Sequence, residues 1–227
     1  MNVYKQITYK EAVDFLLPLH YSGRKPQIKY AFGCFTDDKL MAVCSYGVPA
    51  SRSLCVGVMG KDFASSVLEL NRLCRLDEWV KPLSEFVGWT LRELMKYNLC
   101  IVSYADTAMN HTGAIYQACN FLYTGATKLR TDKYTHGGKH SRHYTNEYNH
   151  LRKVRSVKHR YVYMACDKRH SKIYKNALKY KVEDYPKGEK VDYVLGDFIK
   201  PTVYDRNTDT FYSEDKNKWL IYTKATA

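Results

Sequence analysis

Several short runs of the chain alternate hydrophobic and polar residues with a period of two, as half-buried strands do. The first four are VYKQIT, KYAFGCF, KLMAVCSYGVP and SVLELNRLCRL. The second and third flank the turn residues Thr36, Asp37 and Asp38, so we predict that they form a hairpin. The nearly apolar LCIVSYA predicts a buried strand, and two more strands are predicted from FLYTGATKLR and HRYVYMAC.

Apolar residues at helical spacing separate these strands. The run YKEAVDFLLPLH places Ala12, Phe15 and Leu19 on one face and predicts a helix that ends near His20. The run KPLSEFVGWTLRELMKYN begins with Pro82 and carries an apolar stripe, which predicts an amphipathic helix. NHTGAIYQACN and RHSKIYKNALKY predict shorter helices, whereas the Gly- and Ser-containing stretch before SVLELNRLCRL predicts a connection.

The order of these elements predicts an α+β fold. A mixed central sheet is flanked by helices and is parallel in its middle, where helices connect successive strands. We expect a catalytic domain over residues 1–166 and, packed on it over 167–227, a basic helix and an extended C-terminal arm, because the stretch after Tyr185 is polar.

Positive charge is concentrated in one quarter of the chain. The net charge is +13, and residues 128–179 hold 15 basic and three acidic residues, a local net charge of +12. Tyrosines and six of the eight histidines are interleaved there, which favours a nucleic-acid partner because cations neutralise phosphates and rings stack on bases. The alternative is a solvated basic surface or tail.

Five basic residues are the predicted contacts to double-stranded DNA: Arg152, Lys153, Arg155, Lys158 and Arg160. They follow one another within nine residues, a density that repels itself unless phosphates neutralise it.

The seven cysteines are an odd number without a CxxC pair, which indicates reduced thiols in a cytosol. No apolar stretch approaches the length of a membrane span, and the first residues lack the apolar block of a signal peptide. We therefore expect no membrane partner.

A polar group interrupts the apolar segment SYADTAMNHTGAIYQACNF, residues 103–121, at the predicted seam between a strand and a helix. Asp106 lies just past the end of one middle strand, and Arg72 lies near the end of another. Ligands collect at the carboxyl ends of such strands, so we predict an active site here. The alternative is structural: Asp106 as a helix N-cap, Arg72 as its ion-pair partner and Tyr116 as core.

The ending IYQACNFLYTG resembles the GNAT acyltransferase superfamily, and a narrower set of motifs resembles the Mom family of phage DNA-modification proteins. These motifs are LHYSGRKP, LELNRL, and SYAD followed by IYQA. The resemblance implies a GNAT-like fold, location in the host cytoplasm, and attachment of a small carbamoyl-containing group to the exocyclic amine of adenine in DNA. It assigns the site to His20, Tyr21, Arg72, Asp106 and Tyr116.

The donor of the group is not implied. GNAT enzymes that use acyl-CoA carry a Gly-rich loop before the long helix, whereas DEWVKPLSEF holds no glycine, so acetyl-CoA is in doubt. The helix N-terminus and Ser84 could still meet an anionic donor.

The Mom family is associated with iron, which makes His20 and Tyr21, together with Asp106, candidate ligands by resemblance. A helix-terminal His is more often a cap, and the sequence itself shows no metal site. A second candidate, His136, His140 and His143, lacks nearby cysteines or carboxylates and is better explained by phosphate or base contact.

We assign chemistry to these residues by residue type: Asp106 orients the amine and accepts its proton, Tyr116 protonates a leaving group, and Arg72 holds negative charge. Two other functions stay open, a GNAT-type acyltransferase acting on RNA or a protein amine, and a non-catalytic DNA-binding protein on the same scaffold. The oligomeric state is not predicted.

Overall fold

The computed structural model describes residues 2–79, 81–136, 141–188, 202–215 and 218–222. The side chains of residues 142, 213–215 and 218–222 are not described. Within these ranges the chain forms twelve strands. The strands are β1 (Asn2–Gln6), β2 (Tyr30–Thr36), β3 (Lys39–Gly47), β4 (Val67–Arg75), β5 (Leu99–Asp106), β6 (Leu122–Ala126), β7 (Arg130–Lys133), β8 (Leu151–Arg155), β9 (Lys158–Ala165), β10 (Thr202–Asp205), β11 (Thr210–Asp215) and β12 (Lys218–Tyr222). The helices are α1 (Tyr9–Leu19), α2 (Arg52–Phe63), α3 (Leu83–Leu94), α4 (Ala114–Ala118) and α5 (Lys168–Ala177).

Seven strands form a mixed sheet in the order β1-β2-β3-β4-β5-β9-β6. Strands β4 and β5 are parallel neighbours, and the other described pairs of this sheet are antiparallel. The register of the parallel pair runs from Val67↔Cys100 to Leu70↔Ser103, although β4 continues to Arg75 and β5 to Asp106. The two strands therefore part beyond Leu70 and Ser103, and a crevice opens in the middle of the sheet.

Helices cover both faces of this sheet. Phe86, Val87 and Leu91 of α3 are buried in one core cluster, and Val58 and Met59 of α2 are buried in another together with residues of β4, β5 and β9. The predicted α+β fold with a mixed central sheet flanked by helices is confirmed.

The structure corrects two predicted elements. The connection before β4 contains helix α2, whose apolar residues pack on the sheet although Gly60 interrupts it at φ 75°. The helix after β5 is shortened to α4, because Asn110 (φ 53°) and Gly113 (φ 87°) adopt left-handed conformations before it. The chain between β5 and α4 is therefore a loop that carries polar side chains.

The chain divides into two units, Met1–Ala126 with Lys158–Phe198, and Thr127–Val157 with Ile199–Ala227. In this division residues 127–157 of the predicted catalytic domain belong to the second unit, and α5, which packs on α2, belongs to the first. The second unit holds a sheet in the order β12-β11-β10-β8-β7, with Tyr134, Leu151 and Val203 at its core. The predicted extended arm thus contains three strands, and residues 189–201, 216–217 and 223–227 of it lie outside the described residues.

None of the helices in the described ranges combines the length and the apolar composition that a membrane crossing requires.

Candidate active site

A buried ion pair stands at the end of β5. The side chain of Asp106 is 2% exposed, and its Oδ2 is paired with Nζ of Lys158, the opposite residue at the start of β9. Oδ1 of Asp106 accepts a hydrogen bond of 3.0 Å from the backbone N–H of Ala108. The Asp106 carboxylate is an N-cap, as the structural alternative expected, but its ion-pair partner is Lys158.

His20 follows the last turn of α1 and is buried. Its Nδ1 accepts the backbone N–H of Ser22 at 3.2 Å and lies 3.0 Å from the Ser22 hydroxyl. Because a backbone N–H only donates, the neutral ring carries its proton on Nε2. Burial lowers the pKa of His20 to about 3, and electrostatic interactions with Arg72, His111 and Lys158 act in the same direction.

Aromatic and basic side chains surround this histidine. The Tyr21 ring stacks on the His20 ring with centroids 4.3 Å apart and meets the His111 ring edge-on at 6.0 Å. Burial lowers the pKa of His111, while Asp106 opposes that shift and Lys158 adds to it. Both histidines are therefore neutral near pH 7.

Arg72 lies on β4, beyond the point where β4 and β5 part. Its guanidinium donates to the carbonyl of Asn71 at 2.6 Å and to that of Arg24 at 3.4 Å. Burial lowers the pKa of Arg72, and Tyr21 and Glu69 act in the opposite direction. Burial raises the pKa of Glu69, whereas the charges of Arg72 and Lys158 act to lower it.

Tyr116 reaches the same crevice from α4. Its ring lies 5.3 Å from both the Phe121 and the Tyr161 rings, and its phenol is hydrogen-bonded with Ser103. Ser103 in turn donates to the carbonyl of Leu70 at 3.1 Å, at the last paired position of β4 and β5. Burial raises the pKa of Tyr116 to about 12, so the phenol is protonated at neutral pH.

The structure therefore brings His20, Tyr21, Arg72 and Asp106 into one charged group and sets Tyr116 at its base. It adds Glu69 and His111, for which the sequence predicted no role, and Lys158, which the sequence predicted to contact DNA. Lys158 and Asp106 are 52 positions apart and meet only because β9 inserts beside β5, so no local signal could identify this pair. His111 was visible in the sequence as a polar residue of the segment 103–121.

The predicted DNA contacts have partners within the protein. Besides Lys158, the first unit holds Arg160, whose guanidinium carbon lies 3.3 Å from the Tyr180 ring centroid and which donates to the Thr124 hydroxyl at 2.9 Å. In the second unit, Arg155 is ion-paired with Asp132 at 3.4 Å and Arg152 donates to the carbonyl of Asn149 at 3.1 Å. Carboxylates and carbonyls of the protein therefore offset part of the repulsion among these basic residues, which we had expected phosphates to neutralise.

Ser84, the predicted donor contact, lies in the first turn of α3, where its carbonyl accepts from the Cys119 thiol at 3.4 Å. This helix start differs from a phosphate cradle: Pro82 has no N–H, and the N–H of Glu85 already donates to the Pro82 carbonyl at 3.1 Å. The Glu85 carboxylate also stands in this first turn. These features do not fit the pyrophosphate of coenzyme A.

The candidate iron ligands do not fit a metal either. A metal-binding histidine donates its second ring N–H to an acceptor, whereas Nδ1 of His20 accepts a backbone N–H, and Asp106 is neutralised by Lys158. In the part of the chain that the structure describes, no group of three or more His, Cys, Asp or Glu residues is placed to hold a metal. Of the second candidate set, His140 lies outside the described residues, and the His136 ring stacks on Tyr148 with centroids 6.1 Å apart.

A mixed sheet that is parallel between β4 and β5, with charged side chains where these strands part, defines an α+β protein with a candidate site in the middle of its sheet. The chain belongs to the Mom protein family, whose family model matches residues 2–187. A search of curated proteins found no match.

Solved acetyltransferase structures are similar to this chain at low sequence identity. The ribosomal-protein-S18-alanine N-acetyltransferase from Escherichia coli is 11% identical with a TM-score of 0.45, over 74% of this chain and 96% of that one. An N-acetyltransferase from Staphylococcus aureus Mu50 is 9% identical with a TM-score of 0.46, over 73% and 99%. The IAA acetyltransferase from Bacillus cereus ATCC 14579 is 12% identical with a TM-score of 0.45, over 72% and 99%.

Proposed function

We propose that this protein is a transferase that attaches a small carbamoyl-containing group to the exocyclic amine of adenine in double-stranded DNA. The observation that carries the proposal is the buried Asp106–Lys158 pair, ringed by His20, Tyr21, Arg72 and His111 in a chain of the Mom family. These groups supply hydrogen-bond acceptors, neutral imidazoles and cations within one crevice, as a group transfer to a weak nucleophile requires.

The adenine amine is a poor nucleophile because its lone pair is delocalised into the ring, so a proton must leave as the new bond forms. Lys158 holds the Asp106 carboxylate in place, which suits Asp106 to accepting a hydrogen bond from the amine and orienting it. His111 is neutral near pH 7 and stands beside this carboxylate, so it accepts the proton.

The bond between the amine nitrogen and the transferred group forms while the bond to the donor's leaving group breaks. Tyr116 gives its proton to the leaving group, since its phenol is fully protonated at neutral pH. Arg72 holds the negative charge of the donor or of its carbonyl oxygen. The donor is identified only as an activated group of this kind, and Ser84 at the start of α3 is its proposed contact; no step passes through coenzyme A or a metal.

A base within a duplex cannot reach a buried carboxylate, so the adenine leaves the stack, at a cost of a few kcal/mol. Tyr21 is half-buried, and its ring meets those of His20 and His111. This aromatic group is the proposed stacking surface for the extruded base. Cations of the basic segment offset the cost by binding phosphates.

The test is mass spectrometry of nucleosides from DNA of cells that express the protein. The wild type should yield a modified deoxyadenosine, and Asp106→Asn should yield none; Ser84→Ala should raise the donor concentration needed. Unmodified DNA together with acylated RNA or protein would favour the second function, and unmodified DNA, RNA and protein would favour the non-catalytic one.

A further inference from the structure

The exposed face of α5 carries a stripe of lysines, and the helix itself contains no acidic residue. Lys168, Lys172 and Lys175 are all exposed and recur at spacings of four and three residues, so they follow one side of the helix. No Asp or Glu occurs from residue 168 to residue 182. Like charges at this spacing destabilise a helix, so the stripe works against the fold unless an anion compensates it.

The backbone of α5 is held in place without help from these lysines. Tyr174 is buried on the opposite side, where its hydroxyl donates to the carbonyl of Asn98 at 2.8 Å and its ring lies 5.4 Å from that of Phe63. Asp167 caps the helix by accepting the N–H of His170 at 2.8 Å. The lysines therefore point outward from a fixed helix.

Two other exposed lysines among the described residues have carboxylate partners. Lys10 is paired with Asp14 at 2.7 Å, and Lys39 with Glu78 at 2.6 Å. Among the described residues, no carboxylate lies within ion-pair distance of Lys168, Lys172 or Lys175. The α5 stripe is thus a cationic surface that the described part of the chain leaves uncompensated.

We propose that the α5 stripe binds the phosphate backbone of double-stranded DNA, an inference that rests on the proposed function for its partner. The stripe extends over about 10 Å of helix, a scale at which it meets several phosphates of a duplex. Tyr174 of α5 is buried, so its ring does not reach the surface for stacking on unpaired bases. The contact is electrostatic and independent of DNA sequence.

This surface differs from the five residues that the sequence indicated, because those have partners within the protein. The α5 stripe belongs to the same unit as Asp106.

The experiment measures the affinity of the full-length protein for a short duplex of arbitrary sequence at several salt concentrations. In K168Q/K172Q/K175Q the slope of log affinity against log salt should become shallower by up to about 2.7, since each phosphate that a lysine neutralises contributes about 0.9. The matched control K10Q/K39Q/K96Q removes the same charge elsewhere and should keep the wild-type slope. The variant K168R/K172R/K175R keeps the three positive charges and should also keep the wild-type slope. This result would assign the effect of the glutamine variant to the lost charge and not to the changed side chains.

An unchanged slope in the glutamine variant, or an equal decrease of the slope in the control variant, would overturn the proposal. Tighter binding of the wild type to duplex RNA or to anionic vesicles than to duplex DNA would also overturn it. The nucleoside assay separates this failure from that of the proposed function. A modified deoxyadenosine with an unchanged slope rejects only the α5 surface, whereas a shallower slope without modification rejects only the chemistry.

Discussion

Lys158 neutralises Asp106 across two neighbouring strands, and the carboxylate it neutralises is almost completely buried. The pairing makes Lys158 part of the proposed site, whereas the sequence pattern predicts that it binds phosphate. It also means that Asp106 has a structural role beside its proposed catalytic one.

Removal of the lysine should destabilise the fold. Lys158→Met leaves a buried carboxylate without its cation and should lower the free energy of unfolding by roughly 2–4 kcal/mol, with the 30% exposure of Lys158 placing it at the lower end. The exposed pair of Lys39 and Glu78 is the control, because Lys39→Met should cost less than about 1 kcal/mol. Denaturant titration measures both, and Asp106→Asn combined with Lys158→Met should cost less than the sum of the single changes. Equal effects of the two methionine variants would contradict a buried pair.

Acid should destabilise the protein through His20. Its pKa in the folded state is about 3, below the ordinary value of 6.5, so between these values the unfolded chain binds a proton that the folded chain excludes. The free energy of unfolding should therefore fall as the pH drops from about 7 toward 3. His20→Asn keeps an acceptor for the Ser22 N–H and should show a weaker fall over the same range. The free energy of unfolding of both proteins is measured by urea unfolding at several pH values. An equal fall in the two proteins would show that His20 does not cause the acid destabilisation.

Loss of the Tyr116 phenol should reduce modification more than stability. Tyr116→Phe keeps the ring contacts with Phe121 and Tyr161, so the free energy of unfolding should change by no more than about 1.5 kcal/mol. The rate of modification should fall by about 10²-fold or more if the phenol protonates the leaving group. Tyr123→Phe is the matched control, because its hydroxyl bonds to His159 at 2.9 Å and has no proposed role in the chemistry. A destabilised but active Tyr116→Phe would assign the phenol to the core.

Gly113 should tolerate no side chain. Its φ is 87°, and a Cβ there would overlap the ring of Tyr161, so Gly113→Ala should lower the free energy of unfolding by about 1–3 kcal/mol. Gly88→Ala is the opposite case, because Gly88 lies within α3 and its Cβ would meet only the Arg92 side chain at 3.6 Å. That change should stabilise by about 0.5–1 kcal/mol. Thermal or chemical unfolding of both variants gives the comparison, and similar signs would contradict the loop geometry between His111 and Tyr116.

Much of the first unit follows from the sequence by itself. The alternation in SVLELNRLCRL and the apolar LCIVSYA determine strands β4 and β5, and the stripe in α3 determines which of its faces is buried, because these patterns are local and repeat over several residues. The strand-end positions of Arg72 and Asp106 follow from the same patterns. The motifs around them indicated the Mom family, which the family model confirms over residues 2–187.

Tertiary structure decided what these residues meet. Local patterns predict a strand over HRYVYMAC but not its place between β5 and β6, and this insertion alone sets Lys158 opposite Asp106. The polar C-terminal segment lacks strong periodicity, so its three strands emerge only from pairing with β8 and with one another. The low pKa of His20 likewise depends on burial and on cations from distant strands. Sequence patterns report local preference, whereas strand order, burial and charge pairing depend on residues far apart in the chain.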